Sequence, residues 1–328
     1  MPGKHEKVKE CGFKTSIGGQ ALIEGILMRG PKKQAIVCRT ADGLVEKVDE
    51  LHLLREKYPF FGWPLIRGCV TFIDSMVKGM QALTYSASLV PLEQQEEPDK
   101  LDKWISEHFS AEKAEKLIIY VAVVLGIALS VFLFIFLPTF IVSAIKPLTK
   151  TYLLRNLSEG IVKVAILLGY MALVANMKDI RRLYQYHGAE HKCINCLESG
   201  LPLTVENARK STRLHKRCGS SFTMFVMLVS IILFFFIRTD SHLMRVVLRI
   251  LLIPVISGVS YEIIRLAGMS SNPLIQLISK PGLWMQLMTT KEPDDEMIRV
   301  GIASVEAVFD WKSYLVREFG YSPESLQS

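Results

Sequence analysis

The stretch from residue 117 to residue 137 is 21 residues long and contains no charged side chain. An α-helix rises about 1.5 Å per residue, so a helix of this length matches a hydrocarbon core about 30 Å thick. Helices in the core of soluble proteins seldom run uncharged for so long. The stretch therefore predicts a membrane-spanning helix, and it argues against an ordinary soluble enzyme.

Three later segments are also apolar enough to be candidate spans: 157–177, 220–237 and 246–266. Lys163 lies in the first of them, close enough to one end for its ammonium to reach the interface. Arg249 and Glu262 lie in the last, which suits a tilted or re-entrant segment as well as a full span. The sequence predicts about four spans, within 117–268.

Lysine and arginine are distributed unevenly between the predicted loops. The 178–219 loop holds nine of them and the 144–156 loop holds three. Because cytoplasmic loops carry the excess of these residues, the 178–219 loop is expected to be cytoplasmic, and with four spans both termini are as well. The net charge of +7 is accounted for by these basic flanks, and no nucleic-acid-binding motif occurs. The lipid bilayer is the expected partner, and a second membrane protein is the other candidate.

The regions before and after the spans, 1–116 and 269–328, are expected to fold in the cytosol. Residues 16–48 contain three runs of strand-forming residues separated by turn signals, among which we interpret Gly18 and Gly19 as a turn. This pattern predicts a small antiparallel sheet with "QALIEGILM" as one strand. An amphipathic helix is expected over 69–89, followed by a linker at 91–100.

The C-terminal region begins with an apolar stretch, 270–296, that is rich in turn-forming residues. An amphipathic helix follows within "PDDEMIRVGIASVEAVFDW", where two aspartates suit the first turn. The predicted fold class is an α+β membrane protein, with about four transmembrane helices, a small cytosolic β-containing portion and amphipathic helices.

The segment "YQYHGAEHKCINC" at 184–196 concentrates potential metal ligands, and "HKRC" follows at 215–218. If the first segment is helical, His187 and His191 project from one face four residues apart, with Glu190 beside them. This is the H-x-x-E-H arrangement, in which the glutamate acts as a general base beside a catalytic zinc ion. Such a site needs a third protein ligand, and Glu262 is one candidate.

The same region also fits a structural metal site. Four residues at knuckle-like spacing would form a closed set without an open position: Cys193, Cys196, His215 and Cys218. A mixed set is a further alternative, with His187, His191, His215 and Cys218 as ligands and Glu190 outside them. Histidines on a loop also occur without any metal, so the pattern leaves these alternatives open. In all of the metal-binding readings, the expected cofactor is zinc or another divalent metal.

Four motifs in one order resemble the YqhQ family, also called domain of unknown function 1385: "GGQALIEGILMRGP", "YHGAEHKCINC", "HKRCGSSF" and "LMTTKEPDDE". The resemblance covers about residues 16–310. It implies a bacterial membrane protein of a family described as predicted metal-dependent enzymes. The third motif departs from the expected "HPRCGTSF" but keeps His215 and Cys218.

Two classes of function remain as expectations. The first is a metal-dependent hydrolase at the membrane surface, with Glu190 as general base. The alternative is a membrane scaffold or assembly factor that uses the same residues as a structural zinc site. A transporter ranks third, because it would need ionisable residues deep in the spans, whereas Lys163, Arg249 and Glu262 lie toward the ends.

Overall fold

The structure, a computed structural model, describes residues 15–52, 54–89, 111–145, 151–239, 241–270 and 272–326. The expected linker at 91–100 lies outside these residues. The chain forms two compact units, each made of separated segments. The first unit comprises 1–89, 171–229 and 252–328, and the second comprises 90–170 and 230–251.

The N-terminal sheet has four antiparallel strands in chain order: β1 Gly18–Leu22, β2 Gly25–Arg29, β3 Lys33–Thr40 and β4 Gly43–Glu50. The predicted sheet is therefore confirmed, but the run expected as one strand forms both β1 and β2. Gly18 and Gly19 are not a turn, because both pair with residues of β2. The chain instead reverses at Glu24, which has a φ of +52°.

The conformation of Glu24 is unusual for a residue with a side chain, and its neighbours support it. Its carboxylate accepts hydrogen bonds from Arg39 at 3.0 Å, from the Tyr186 hydroxyl at 3.0 Å, and from Arg182. These contacts favour a backbone region that a glutamate rarely adopts. Since they come from distant residues, the sequence around the turn did not reveal it.

The helices run through the rest of the described chain. They are α1 Leu54–Lys57, α2 Ile66–Ser88, α3 Ala111–Val131, α4 Leu137–Ala144, α5 Tyr152–Val174, α6 Lys178–Glu198, α7 Val205–Lys210, α8 Gly219–Phe235, α9 His242–Leu251, α10 Ile253–Met269, α11 Pro273–Thr289, α12 Asp295–Glu306 and α13 Trp311–Phe319. A π-helical segment, Phe132–Phe136, joins α3 to α4. Two short 3₁₀ helices span Pro59–Gly62 and Pro323–Leu326.

The two faces of the sheet contribute to two hydrophobic cores in the first unit. Ile26 and Met28 of β2 pack in the larger core, together with apolar residues of α6, α12 and α13. Leu27, between them, points the other way and packs with Ala82 of α2. This alternation follows from the two-residue period of a strand. The sheet thus holds α6, which carries most of the candidate ligands, against its buried face.

Two amphipathic helices are confirmed as α2 and α12. Asp294 caps the start of α12, where its side chain accepts a hydrogen bond from the Met297 N–H at 2.8 Å. The expectation of a turn-rich stretch over 270–296 is wrong for most of its length, since α11 occupies it. Asn272 caps that helix and Pro273 follows at its first position, where a proline is tolerated.

Two helical segments are long and apolar enough to cross a membrane, Tyr120–Ala144 and Tyr152–Val174. A bent pair, Leu243–Leu251 with Ile253–Met269, would raise that number to three, and Gly219–Phe235 is a shorter apolar helix. Lys163 does not extend outward as expected. It is 4% exposed, with its ammonium 4.4 Å from the ring centroid of Phe234.

A candidate metal centre

Helix α6 presents three of the candidate residues together. The helix is continuous from Lys178 to Glu198, so His187, Glu190 and His191 lie within about one turn of one another. The ring centroids of the two histidines are 4.4 Å apart. Glu190 and His191 are buried, whereas His187 keeps partial contact with solvent. The spacing in the sequence therefore produces the cluster of side chains that it predicted.

Gly188 lies inside this helix for a steric reason. A Cβ atom there would come within 2.0 Å of the Lys291 carbonyl oxygen, in the segment that follows α11. An alanine would gain about 1 kcal/mol of helix propensity over glycine. A Cβ atom so close to a backbone oxygen would force α6 and the segment after α11 apart. The close approach of these two segments is therefore the reason for glycine at this position.

Backbone carbonyl groups fix the orientation of both histidine rings. The Nδ1 atom of His187 lies 2.9 Å from the Thr289 oxygen, and that of His191 lies 2.6 Å from the Arg213 oxygen. A carbonyl only accepts hydrogen bonds, so Nδ1 carries the proton in both rings. In a neutral ring, Nε2 then has its lone pair available, as metal-binding histidines require.

Cys218 lies just before α8 and brings a sulfur atom to these rings. Its Sγ is 3.1 Å from His187 Nε2, and the Ser220 N–H donates to it at 3.3 Å. One ligand atom each from His187, His191 and Cys218 all lie within 4.8 Å of one another. Together with Glu190, these residues form what we call the His187 cluster.

The charges inside the His187 cluster favour a thiolate. Burial acts to raise the pKa of the Cys218 thiol, but the neighbouring histidines outweigh it, and the pKa lies well below its ordinary value. Burial acts to lower the pKa of His187, but the charge of Cys218 and its hydrogen bond raise it to about 9. A cysteine binds metals as the thiolate, so the sulfur is already in the form that a cation needs, whereas the His187 ring has to release its Nε2 proton when a metal binds.

Glu190 is held on one side only. Its Oε1 accepts a hydrogen bond from the Gly19 N–H at 2.9 Å, while its buried Oε2 has no hydrogen-bond partner among the described residues. Burial raises the pKa of this carboxyl group, against the lowering effect of the two histidines. Gly19 makes the approach possible, because a Cβ atom there would lie 2.6 Å from the Leu27 oxygen and 3.1 Å from the Glu190 carboxyl carbon.

His215 lies at the edge of the cluster and faces a different group. Its ring centroid is 5.6 Å from that of His191, but its Nε2 lies 3.5 Å from a Glu198 oxygen. Glu198 also pairs with Arg217 and accepts a hydrogen bond from the Thr15 hydroxyl at 2.8 Å. His215 is thus engaged in a paired network beside the cluster.

Comparison with known proteins places the chain in a family. A family model described as a protein of unknown function (DUF1385) matches residues 63–311. The chain belongs to that family. It is also 36% identical over 292 residues to the "Uncharacterized protein YqhQ" of Bacillus subtilis (strain 168), covering 88% of this chain and 90% of the relative. No solved structure matches the chain.

The remaining candidate ligands lie elsewhere in this DUF1385 member. Cys193 is fully buried in the larger core, with its sulfur 3.8 Å from the Ile298 oxygen, and Cys196 contacts the Pro202 oxygen at 3.4 Å. Within the described residues, the structure does not assemble the closed four-ligand set. Both cysteines point from α6 into packed protein because apolar residues flank them on the buried helix face.

Glu262 is also absent from the cluster. Its Oε1 accepts a hydrogen bond from Arg67 Nε at 2.7 Å, and the two side chains form an ion pair. Arg67 belongs to α2, a helix that the sequence did not associate with Glu262. The carboxylate is therefore occupied by a guanidinium group.

Several supporting groups were missed in the sequence. The Thr289 and Arg213 carbonyls and the Gly19 N–H are backbone groups, which residue type does not reveal. Gln286 was missed as well: its side chain accepts from the His215 N–H at 2.8 Å and donates to the His215 oxygen at 2.7 Å. The one available signal was that Gly19 and Thr289 each lie in one of the motifs that carry the resemblance to the family.

Proposed function

We propose that this protein is a metal-dependent hydrolase embedded in the membrane, with its reaction centre at the His187 cluster. One observation carries the proposal. Three ligand atoms of the types that zinc prefers converge within 4.8 Å, beside a buried carboxyl group that has an oxygen without a partner. Catalytic zinc sites use three protein ligands and keep a fourth position for water or substrate.

The donor set fits zinc or a similar divalent ion. It combines two imidazole nitrogens, each with its other nitrogen bonded to a carbonyl group, and one thiolate. Such a combination of nitrogen and sulfur donors suits zinc rather than magnesium or calcium, which prefer oxygen ligands. A bound ion would supply Lewis acidity, lowering the pKa of water and polarising a substrate carbonyl or phosphoryl group.

Glu190 is the general base in this proposal. The Gly19 N–H fixes one carboxylate oxygen, so the other is held in place and is available to take a proton from the attacking water. Its burial supports this role, because a raised pKa makes the carboxylate a stronger base. His187 lies at the partly exposed edge of the cluster, which gives substrate a route from solvent.

The closed structural site is less well supported. It needs Cys193 and Cys196 next to His215 and Cys218, but these two cysteines contact other carbonyl groups. A scaffold would also gain nothing from a buried glutamate with an unsatisfied oxygen beside the ligands, since such a group destabilises the fold.

The membrane part of the proposal is a four-span protein with the 178–219 segment and both termini in the cytoplasm. The two long apolar helices, the bent pair and the shorter helix α8 support four crossings, and the excess of basic residues in 178–219 supports the orientation. Labelling of intact cells with an impermeant thiol reagent tests it. A cysteine introduced at exposed Glu206 should stay unlabelled and one at Lys150 should react; the reverse pattern would reject this topology.

Metal analysis and one substitution test the chemistry. Purified full-length protein should hold about one zinc or similar ion per chain, and His191→Ala should lose it. Glu190→Gln should keep the metal and the fold but lower hydrolysis of chromogenic ester, amide or phosphate substrates by roughly 10²–10⁴-fold. Glu206→Gln, at an exposed position, is the matched control. A metal-loaded Glu190→Gln protein with wild-type activity would refute the hydrolase.

A further inference from the structure

The second unit contains a buried group of charged side chains that the proposed hydrolysis does not use. Glu159 and Lys163 come from α5, and Arg245 and Arg249 come from α9. All four are at most 4% exposed, among helices that are otherwise apolar. With Phe234 of α8, we call this group the Lys163 cluster. Ionisable residues in such surroundings are costly and usually functional.

Glu159 is the acidic member of the cluster. It forms ion pairs with Arg249 and, at 3.7 Å, with Arg245. Arg249 also donates from Nη1 to the Thr139 hydroxyl at 3.0 Å. Its Nε, however, is buried without a hydrogen-bond partner among the described residues. One donor of a nine-tenths buried guanidinium group is therefore unsatisfied.

Lys163 adds to the excess of positive charge in the cluster. It lies one helical turn after Glu159, but within the described chain its ammonium has no hydrogen-bond acceptor and no ion pair, only the face of the Phe234 ring at 4.4 Å. The Arg249 guanidinium lies 5.0 Å from the same ring. Even with Arg245 left aside, two positive charges share one carboxylate, and a ring face compensates a buried charge only partly.

The position of the cluster narrows the choice of ligand. Glu159 lies seven residues after the start of α5, about 10 Å along its axis. Phe234 is the second-to-last residue of α8. Lys163 lies midway along α5, but its ammonium reaches the ring of Phe234, close to the end of α8. Lipid phosphates lie at the membrane surface, about 10 Å from Glu159 along α5, and basic pockets between membrane helices bind such groups.

We propose that the Lys163 cluster binds an oxyanion of the phosphate type, with the Lys163 ammonium and the Arg249 Nε as its donors. The ligand would supply the missing negative charge and accept hydrogen bonds from both groups, and guanidinium groups suit phosphate oxygens. A phospholipid head group and free inorganic phosphate share this chemistry. The site is independent of the metal centre and of hydrolysis.

The test uses full-length protein in two arms. In the first arm, the protein is reconstituted in phosphatidylcholine membranes with or without phosphatidylglycerol and is then extracted. Native mass spectrometry counts the phosphatidylglycerol molecules that stay bound. In the second, inorganic phosphate is titrated against detergent-purified protein, and the midpoint of thermal unfolding is followed. Binding in the first arm alone identifies a lipid head group, and binding in the second identifies a free anion.

Three variants connect binding to the cluster. Lys163→Met keeps a long apolar side chain and removes only a charge without a hydrogen bond, so it should fold and bind about tenfold more weakly, the loss expected for one charge-assisted contact. Lys163→Arg should retain binding. Arg238→Met, which removes an exposed charge, should behave like the wild type. Binding by neither probe, or equal binding by Lys163→Met and Arg238→Met, would overturn the proposal.

Discussion

The His187 cluster and the Lys163 cluster are both buried and polar, but they differ in the charge of the groups that they bring together. The first collects electron-pair donors, namely two imidazole nitrogens, a thiolate and a carboxylate oxygen without a partner. The second collects positive charges around one carboxylate and leaves a guanidinium N–H without an acceptor. The donors of the first cluster suit a cation, and the net positive charge of the second suits an anion.

This difference shows how buried atoms without hydrogen-bond partners can indicate whether a ligand is positively or negatively charged. Folded proteins satisfy nearly all their buried polar groups, so each exception calls for an explanation. In the first cluster the exception is an acceptor, Glu190 Oε2. In the second it is a donor, Arg249 Nε, together with Glu159 Oε1, which is ion-paired with Arg245 at 3.7 Å but accepts no hydrogen bond among the described residues. We therefore expect the same type of substitution, or the same added ion, to have different effects at the two clusters.

The largest difference is expected when each buried glutamate becomes glutamine. Glu159→Gln leaves buried arginines without their carboxylate and should lower the free energy of unfolding by about 3–5 kcal/mol. Glu190→Gln breaks no ion pair and keeps the acceptor for the Gly19 N–H, so in metal-free protein it should change stability by less than about 1 kcal/mol. Denaturant unfolding in one detergent measures both. Equal losses would remove the distinction between the clusters.

Added zinc should stabilise the protein through the His187 cluster alone. At a free zinc concentration 100 times the dissociation constant, the free energy of unfolding should rise by about 2.7 kcal/mol. The gain should disappear in His191→Ala and persist in Lys163→Met, and a chelator should reverse it. Thermal unfolding scans with and without zinc provide the measurement; a gain that survives in His191→Ala would place the metal elsewhere.

Two cysteine substitutions sharpen the comparison further, because Cys218 belongs to the proposed ligand set and Cys193 does not. Cys218→Ser should abolish the stabilisation by zinc because it removes a ligand. Cys193→Ser should keep it and lower stability by about 1–3 kcal/mol, since a hydroxyl group replaces a sulfur in an apolar core. Zinc content of the two purified variants decides the matter. Loss of zinc from Cys193→Ser would instead support the closed structural site, in which Cys193 is a ligand.

The smallest effect concerns the paired carboxylate beside the cluster. Burial acts to raise the pKa of Glu198, but its contacts with His215 and Arg217 outweigh this and hold the pKa below its ordinary value. A lowered pKa in the folded state contributes stability that is present above the unfolded pKa, about 4.3, and is lost as the pH falls through the folded value. Glu198→Gln should therefore flatten the acid side of the stability profile. A slope as steep as that of the wild type would contradict this.

The sequence predicted those features that depend on local period or residue type. The four-residue spacing of His187 and His191 placed both rings on one face of α6, and the strand pattern predicted the sheet. The recurrence of apolar residues on one helix face also predicted α12. In each case, the information lies within one segment of the chain.

Features set by long-range packing were not predictable. Glu262 is a candidate ligand by its position in the sequence, but it pairs with Arg67. Lys163 is expected at the interface, but it packs against Phe234. Gly18 and Gly19 resemble a turn, yet both pair with residues of β2, and Leu27 and Glu190 lie close to Gly19. These outcomes depend on residues far along the chain, about which the local sequence carries no signal.

The discontinuous first unit has a consequence for synthesis on the ribosome. The groups around Glu190 and His187 include the Gly19 N–H and the Thr289 carbonyl, which are 289 − 19 = 270 positions apart. At about 5–20 residues per second, roughly 14 to 54 seconds separate the two residues during translation. Strand β1 must therefore wait for α6 before its contact with Glu190 can form, and the contact of His187 with Thr289 must wait until α11 has been made. A nascent chain therefore cannot complete the His187 cluster until nearly all of its residues have been made.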